Sequence, residues 1–269
     1  MAMIVVMLVC VPGWSSDAKA VPIFSNGFET DNAGWNVFGA GFVATRVASG
    51  TNGITSAGGA FHAESSASGS ATNWGGYSSV FPSLGFKTTI DIFLDVDAGF
   101  ANNSRFDFSS AINNTAGSHR RDFIFNAGFF DTADITGPGA GTNRFVISAS
   151  NNSQPGSAFA KNPAKDPIAI DMTGWYTFQH EFYNNAGVLA VDMTISDALG
   201  NLVHTWTLSD PTDLIGIIGG NRYGWFSFNT LPVLAFDNSS INSIPEPATL
   251  ALAMIAGCAL TVRRRRIGQ

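Results

Sequence analysis

Between Val21 and Ser243 the reactive side chains are few: three glutamates (Glu29, Glu64, Glu181), four histidines and no cysteine. Without thiols this region has no disulfide, no thiolate nucleophile and no cysteine-based zinc site. It contains no Gly-x-Ser-x-Gly elbow, so a serine triad has to draw its base from His62, His119, His180 or His204. His180-Glu181 opens like a zinc-binding His-Glu-x-x-His helix, but Asn184 occupies the second ligand position and the segment alternates like a strand. His204 is in register with Leu202, Trp206 and Leu208, a core or sheet-edge position.

Oxygen ligands and aromatic rings are the positive signals. Asp91, Asp95 and Asp97 alternate along one strand face that runs into Gly99, Asn102 and Asn103. Asp95, Asp97 and Asn102 are the candidate ligands for a Ca²⁺ ion, weighed against a merely solvated acidic face. The EF-hand pattern fails, with Gly99 and Phe106 where ligands belong. Trp74 and Tyr77, set among Asn73, Gly75 and Gly76, are candidates for an exposed stacking surface, and Tyr223 and Trp225, beside Asn221 and Arg222, offer another. Flat rings with neighbouring amides suit sugars, although a tryptophan in a β-sandwich is more often core. The pair Arg120-Arg121 reads as a solvated strand end.

The elements that must position these residues are strands. Ile90, Ile92, Leu94 and Val96 alternate with Thr89, Asp91, Phe93, Asp95 and Asp97, so one face points to a core. Leu189, Val191, Met193 and Ile195 alternate likewise, and Ala198-Leu199-Gly200-Asn201 turns the chain into a return strand over Leu202–Leu208, a hairpin. Further strands are expected over 105–109, 121–130, 143–150, 175–183, 223–228 and 232–237. With no helical periodicity between them, the region predicts an all-β fold: a two-sheet antiparallel sandwich of jelly-roll or concanavalin-like form. A barrel is the alternative, and no fixed-period repeat is present. The sandwich is expected over residues 21–237, followed by a linker at 238–244.

Composition agrees. The chain has 29 glycines and 22 phenylalanines among 269 residues, which suits many turns and an aromatic core. Its formal net charge is −6, and the region ahead of Pro245 is more acidic than the whole because Arg263–Arg266 lie behind it. Nucleic acid is excluded as a partner, since binding it needs a basic footprint.

The two ends read as targeting segments. Pro245-Glu246-Pro247 precedes an apolar run at 248–262 and then Arg263, Arg264, Arg265 and Arg266. A run of about 15 residues is a minimal membrane helix, and the arginines put its far end in the cytoplasm. The prolines favour an extended, cleavable hinge. The order Pro-Glu-Pro, short apolar helix, arginine cluster resembles the PEP-CTERM sorting domain of Gram-negative bacteria, over about a tenth of the chain. That resemblance implies recognition of Pro245, Glu246 and Pro247 by an exosortase, Arg263–Arg266 as stop-transfer signal, and delivery to the cell surface or an exopolysaccharide matrix. At the other end, residues 1–20 form a signal peptide: an apolar run at Met3–Val11 is followed by Ala18-Lys19-Ala20, a signal-peptidase site with Val21 next. No basic residue precedes that run, and Cys10 leaves a lipoprotein alternative. Gly27-Phe28-Glu29-Thr30-Asp31-Asn32-Ala33-Gly34-Trp35 resembles the opening strand of secreted carbohydrate-binding sandwiches.

These readings converge on an exported, exosortase-processed surface or matrix protein that is a non-catalytic glycan-binding or structural sandwich and needs no cofactor. The alternative is a glycan-active hydrolase or lyase of the same fold. Such an enzyme requires two carboxylates on one cleft. The Glu-x-Asp-x-x-Glu arrangement of sandwich-fold laminarinases is missing, and no catalytic residue is assigned.

Overall fold

In the computed structural model, residues 22–37, 44–66, 70–72, 78–152 and 160–244 are described. The expected signal peptide, membrane helix and arginine cluster lie outside them, as do Pro245–Pro247, Trp74 and Tyr77. The described strands are β1 (Pro22–Asn26), β2 (Trp35–Val37), β3 (Thr45–Ala48), β4 (Phe61–Ser65), β5 (Ser70–Thr72), β6 (Phe86–Leu94), β7 (Arg105–Asn114) and β8 (His119–Phe130). They continue as β9 (Arg144–Asn151), β10 (Ile168–Ile170), β11 (Gly174–Asn185), β12 (Val188–Asp197), β13 (Leu202–Leu214), β14 (Ile218–Asn229) and β15 (Leu234–Ser243).

Two antiparallel sheets result, as the alternation predicts. One is eight-stranded, in the order β13-β12-β11-β6-β15-β4-β3 with β1 added on β15; the other is seven-stranded, β10-β9-β8-β7-β14-β5-β2. The expected hairpin is β12–β13, with Met193 opposite Trp206 and Ile195 opposite His204. Gly85 sets the entry to β6. Its φ is +84°, and a Cβ there would sit 1.8 Å from the Phe182 carbonyl oxygen, so only glycine lets the strand close on β11.

Period two sends alternate residues inward. Ile90, Ile92 and Leu94 of β6, Phe106 and Phe108 of β7, Phe123, Phe125 and Phe129 of β8, and Phe178 and Phe182 of β11 are all buried in one core. Phenylalanine supplies the volume that a thin aliphatic content lacks. Phe226 packs at 5.1 Å from both Phe108 and Phe236, while Phe125 meets Phe178 edge-on at 5.1 Å. Such tilted contacts place the positive ring edge against a negative face.

Two expectations need correcting. Residues 238–243, expected in a linker, are the second half of β15 and pair with β1 and β6. Their polar composition imitates a linker, but two neighbouring strands supply backbone partners, which a linker would lack. Arg120 and Arg121 are not a solvated strand end. Both donate to Asp213, a fully buried carboxylate on β13, so β8 of one sheet is clamped to β13 of the other.

Candidate functional site

The outer face of the seven-stranded sheet carries the candidate site. Because Phe106, Phe108, Phe123, Phe125, Phe145 and Ile147 point to the core, the intervening residues of β7, β8 and β9 point away from it. Register then builds rows across the strands. Trp225 pairs with Ser109, Ser109 with Ile124, and Ile124 with Ser150. In the adjacent row Phe228 pairs with Asp107, Asp107 with Asn126, and Asn126 with Ser148. Tyr223, Ala111 and Asp122 form the third.

A hydrogen-bonded chain crosses these rows. Ser150 Oγ donates to Asn126 Oδ1 at 2.7 Å, and Asn126 Nδ2 donates to Asp107 Oδ1 at 3.0 Å. Burial pushes the Asp107 carboxyl above its usual range, while Asn126 and Arg105 pull the other way. Beside the chain, the buried hydroxyls of Ser109 and Ser148 and Oδ1 of Asp122 have no hydrogen-bond partner among the described residues. A buried polar atom left unpaired costs about 1–3 kcal/mol, and with Ser109 and Ser148 wholly buried this is a cost inside the protein rather than a contact open to a ligand.

Aromatic surface flanks them. Tyr223 and Trp225 are half-buried and meet edge-on at 5.6 Å. His119 lies nearly parallel to Tyr223 at 6.4 Å, held by its Nε2 contact with Asp122 Oδ2 at 2.9 Å. The Arg222 guanidinium sits 5.5 Å from the centre of the Tyr223 ring and donates to the Gly117 carbonyl. The face therefore combines apolar ring area with amide, carboxylate and hydroxyl groups.

The expected candidates are placed as follows. Tyr223 and Trp225 come together; Trp74 and Tyr77 lie outside the described residues. Asp95 and Asp97 converge on the Thr173 hydroxyl, 3.5 Å from Asp95 Oδ1 and 2.8 Å from Asp97 Oδ2. Asn102 does not join them, since its Oδ1 accepts the Asp131 N–H at 3.1 Å. Among the described residues no group of three or more His, Cys, Asp or Glu side chains is arranged to hold a metal ion. Asp91 turns to Thr177 and Asn238. His204 is half-buried at the sheet edge against Trp206, with Nε2 3.2 Å from Asp166 Oδ2. Sequence reasoning missed Asp107, Asn126, Ser109, Ser148 and Ser150. Their only signal is small polar residues alternating with phenylalanine, the pattern of an ordinary solvated face.

No protein-family model and no curated protein matches the chain. Among solved structures it is similar to the CBM2 module of the evolved Dit of Lactobacillus casei BL23 phage J-1, with TM-score 0.40, 13% identity and coverage of 85% of this chain and 98% of that one. It is similar to basic winged bean lectin solved with Tn-antigen, with TM-score 0.43, 12% identity and coverage of 85% and 100%. Peanut lectin solved with a 9mer peptide gives TM-score 0.39, 10% identity and coverage of 86% and 100%. The two-sheet antiparallel sandwich itself stands on the strand order and register described above.

Proposed function

We propose that this is an exported protein whose sandwich binds polysaccharide across the outer face of the seven-stranded sheet. The observation that carries the reading is the half-buried pair Tyr223 and Trp225, edge-on at 5.6 Å on β14, with the half-buried Asp107 carboxylate in the next row. A pyranose ring offers both complements: C–H faces for the indole, and hydroxyls for the half-buried Asp107 carboxylate. Export is supported by the likeness of Pro245–Arg266 to a PEP-CTERM tail and by the signal-peptidase pattern at Ala18–Ala20. In this reading exosortase and signal peptidase are processing partners, and the protein reaches the cell surface or exopolysaccharide matrix after an inner-membrane intermediate.

Glycan-array binding followed by calorimetry on the best glycan tests the first part. W225A is expected to weaken binding at least about tenfold, the effect of losing one stacked aromatic of about 1.5 kcal/mol. A protein that binds no glycan, or a W225A variant that binds like wild type, overturns it. Mass spectrometry of the mature protein tests the second part: a chain beginning at Val21 and ending near Pro245–Pro247 is expected. Surface-localised material that retains Arg263–Arg266 overturns processing.

A further inference from the structure

The opposite sheet carries a separate constellation. The connection from β3 to β4 lies against the outer face of the eight-stranded sheet, tied down by Trp175 Nε1 donating to the Thr55 carbonyl at 2.7 Å. On β4, His62 and Glu64 are two residues apart and share that face, while Ala63 between them is buried in the core. His62 Nδ1 lies 2.9 Å from Ser56 Oγ, and His62 Nε2 lies 3.2 Å from Glu64 Oε1. Asn52 Nδ2 donates to the second carboxylate oxygen of Glu64 at 2.7 Å.

A carboxylate only accepts, so Glu64 selects the tautomer with hydrogen on Nε2. That leaves the Nδ1 lone pair aimed at the Ser56 hydroxyl. His62 is fully buried and its ring is packed by Trp175 edge-on at 6.0 Å, which fixes its orientation. Ser56 is half-buried and lines a cavity of about 210 Å³ with Thr55, Ala57, Asp91, Trp175 and Thr177. The backbone N–H of Ala57, immediately after Ser56, has no acceptor among the described residues. In serine esterases the residue after the nucleophile supplies an oxyanion-hole donor from this position.

We propose that Ser56, His62 and Glu64 form an acyl-transfer site that hydrolyses short-chain, uncharged carboxylic esters. Ser56 Oγ bonds to the ester carbonyl carbon while His62 Nδ1 takes the hydroxyl proton, and the oxyanion faces the Ala57 N–H. The tetrahedral centre collapses, the ester C–O bond breaks, and the alcohol leaves with the proton from His62. Water repeats the sequence on the acyl-Ser56, so that one ester and one water give one alcohol and one carboxylic acid. The cavity admits a short acyl group, and the Asp91 carboxylate in its wall disfavours anionic substrates. Glu64 is a positioning residue that acts through His62.

The test uses the full-length chain with a fluorophosphonate probe and with p-nitrophenyl acetate. A single adduct on Ser56 is expected by peptide mass spectrometry, together with hydrolysis that S56A lowers at least about a hundredfold. E64Q is expected to lower kcat about tenfold or more with KM unchanged, a split that a purely structural role would not produce. No adduct, an adduct at another residue, or undiminished hydrolysis by S56A overturns the proposal. Ser56 is half-exposed and its truncation removes one hydroxyl, so S56A decides the matter even if E64Q fails to fold. Glycan binding is untouched by S56A, which keeps this proposal separable from that of the opposite face.

Discussion

Asp237 Oδ2 accepts the backbone N–H of Gly58 at 3.2 Å, joining β15 to the β3–β4 connection across 179 positions of sequence. The carboxylate is fully buried, and its Oδ1 accepts the Asn238 N–H at 2.8 Å. Burial raises its pKa to about 6 against the pull of the two N–H donors, and the nearby Asp91 and Glu29 carboxylates add to the rise.

A carboxyl whose folded pKa lies above its unfolded value binds its proton more tightly in the native state. Its stabilising contribution is therefore full below about pH 4 and is lost as pH rises through about 6. Relative to wild type, D237N is expected to gain about 1–3 kcal/mol between pH 4 and pH 7. Urea denaturation at the two pH values checks this; parallel changes in both proteins would refute it.

His180 acts with the opposite sign. It is wholly buried, with Nε2 donating to the Phe123 carbonyl at 3.1 Å, and burial lowers its pKa to about 3. The unfolded chain takes up a proton below about pH 6.5, so stability is full above that pH and falls toward pH 3. H180Q keeps a donor for Phe123 but removes the titration. It is expected to be less stable than wild type at pH 7 and to lose about 1.4 kcal/mol less per pH unit on acidification. Between pH 4 and 6 the slopes from Asp237 and His180 oppose each other, so D237N should unmask the acid sensitivity.

Arg144 is fully buried, and its guanidinium donates to the carbonyls of Asp131, Thr136, Pro138 and Thr142 and to the Asp134 carboxylate. One side chain thus gathers the whole β8–β9 connection. A lysine offers three donors from a point charge in place of a planar fork. R144K is expected to cost about 2–4 kcal/mol and to increase proteolysis within residues 131–142, measured by thermal melting and by limited digestion with thermolysin, which cuts before apolar residues such as Ala133, Ile135 and Ala140.

Asp213 is the shared acceptor of Arg120 and Arg121, and Arg121 also reaches Asp210 at 3.3 Å. Removing a buried partner leaves uncompensated charge. D213A is expected to cost about 3–5 kcal/mol, while D210A, at the less buried end of the cluster, costs less than about 1 kcal/mol. Equal losses in the two variants would show that the inter-sheet clamp does not depend on Asp213.

Particular elements show how far local pattern carries. The strand through Ile90, Ile92 and Leu94 and the β12–β13 hairpin were legible because alternation and a turn are written in adjacent residues. The second half of β15 was not, because Asn238-Ser239-Ser240 has the composition of a loop and becomes strand only between β1 and β6. Tyr223 and Trp225 stood out as rings among amides. Ser109, Asn126 and Ser150 did not, since their significance comes from register between β7, β8 and β9. His62 was visible only as one of four histidines.

The amino-acid order alone determined the all-β class, the cysteine-free chemistry of the region after Val21, the acidic balance and the proline-arginine pattern of the tail. Each of these is set by composition or by neighbours within a few positions. Tertiary structure decided which faces meet: Trp225 with Ser109, Arg121 with Asp213, Asp237 with Gly58. These partners are far apart in the chain, and strand pairing is chosen by cooperative burial of a shared core. A period-two pattern says which residues turn inward without saying which strand lies alongside.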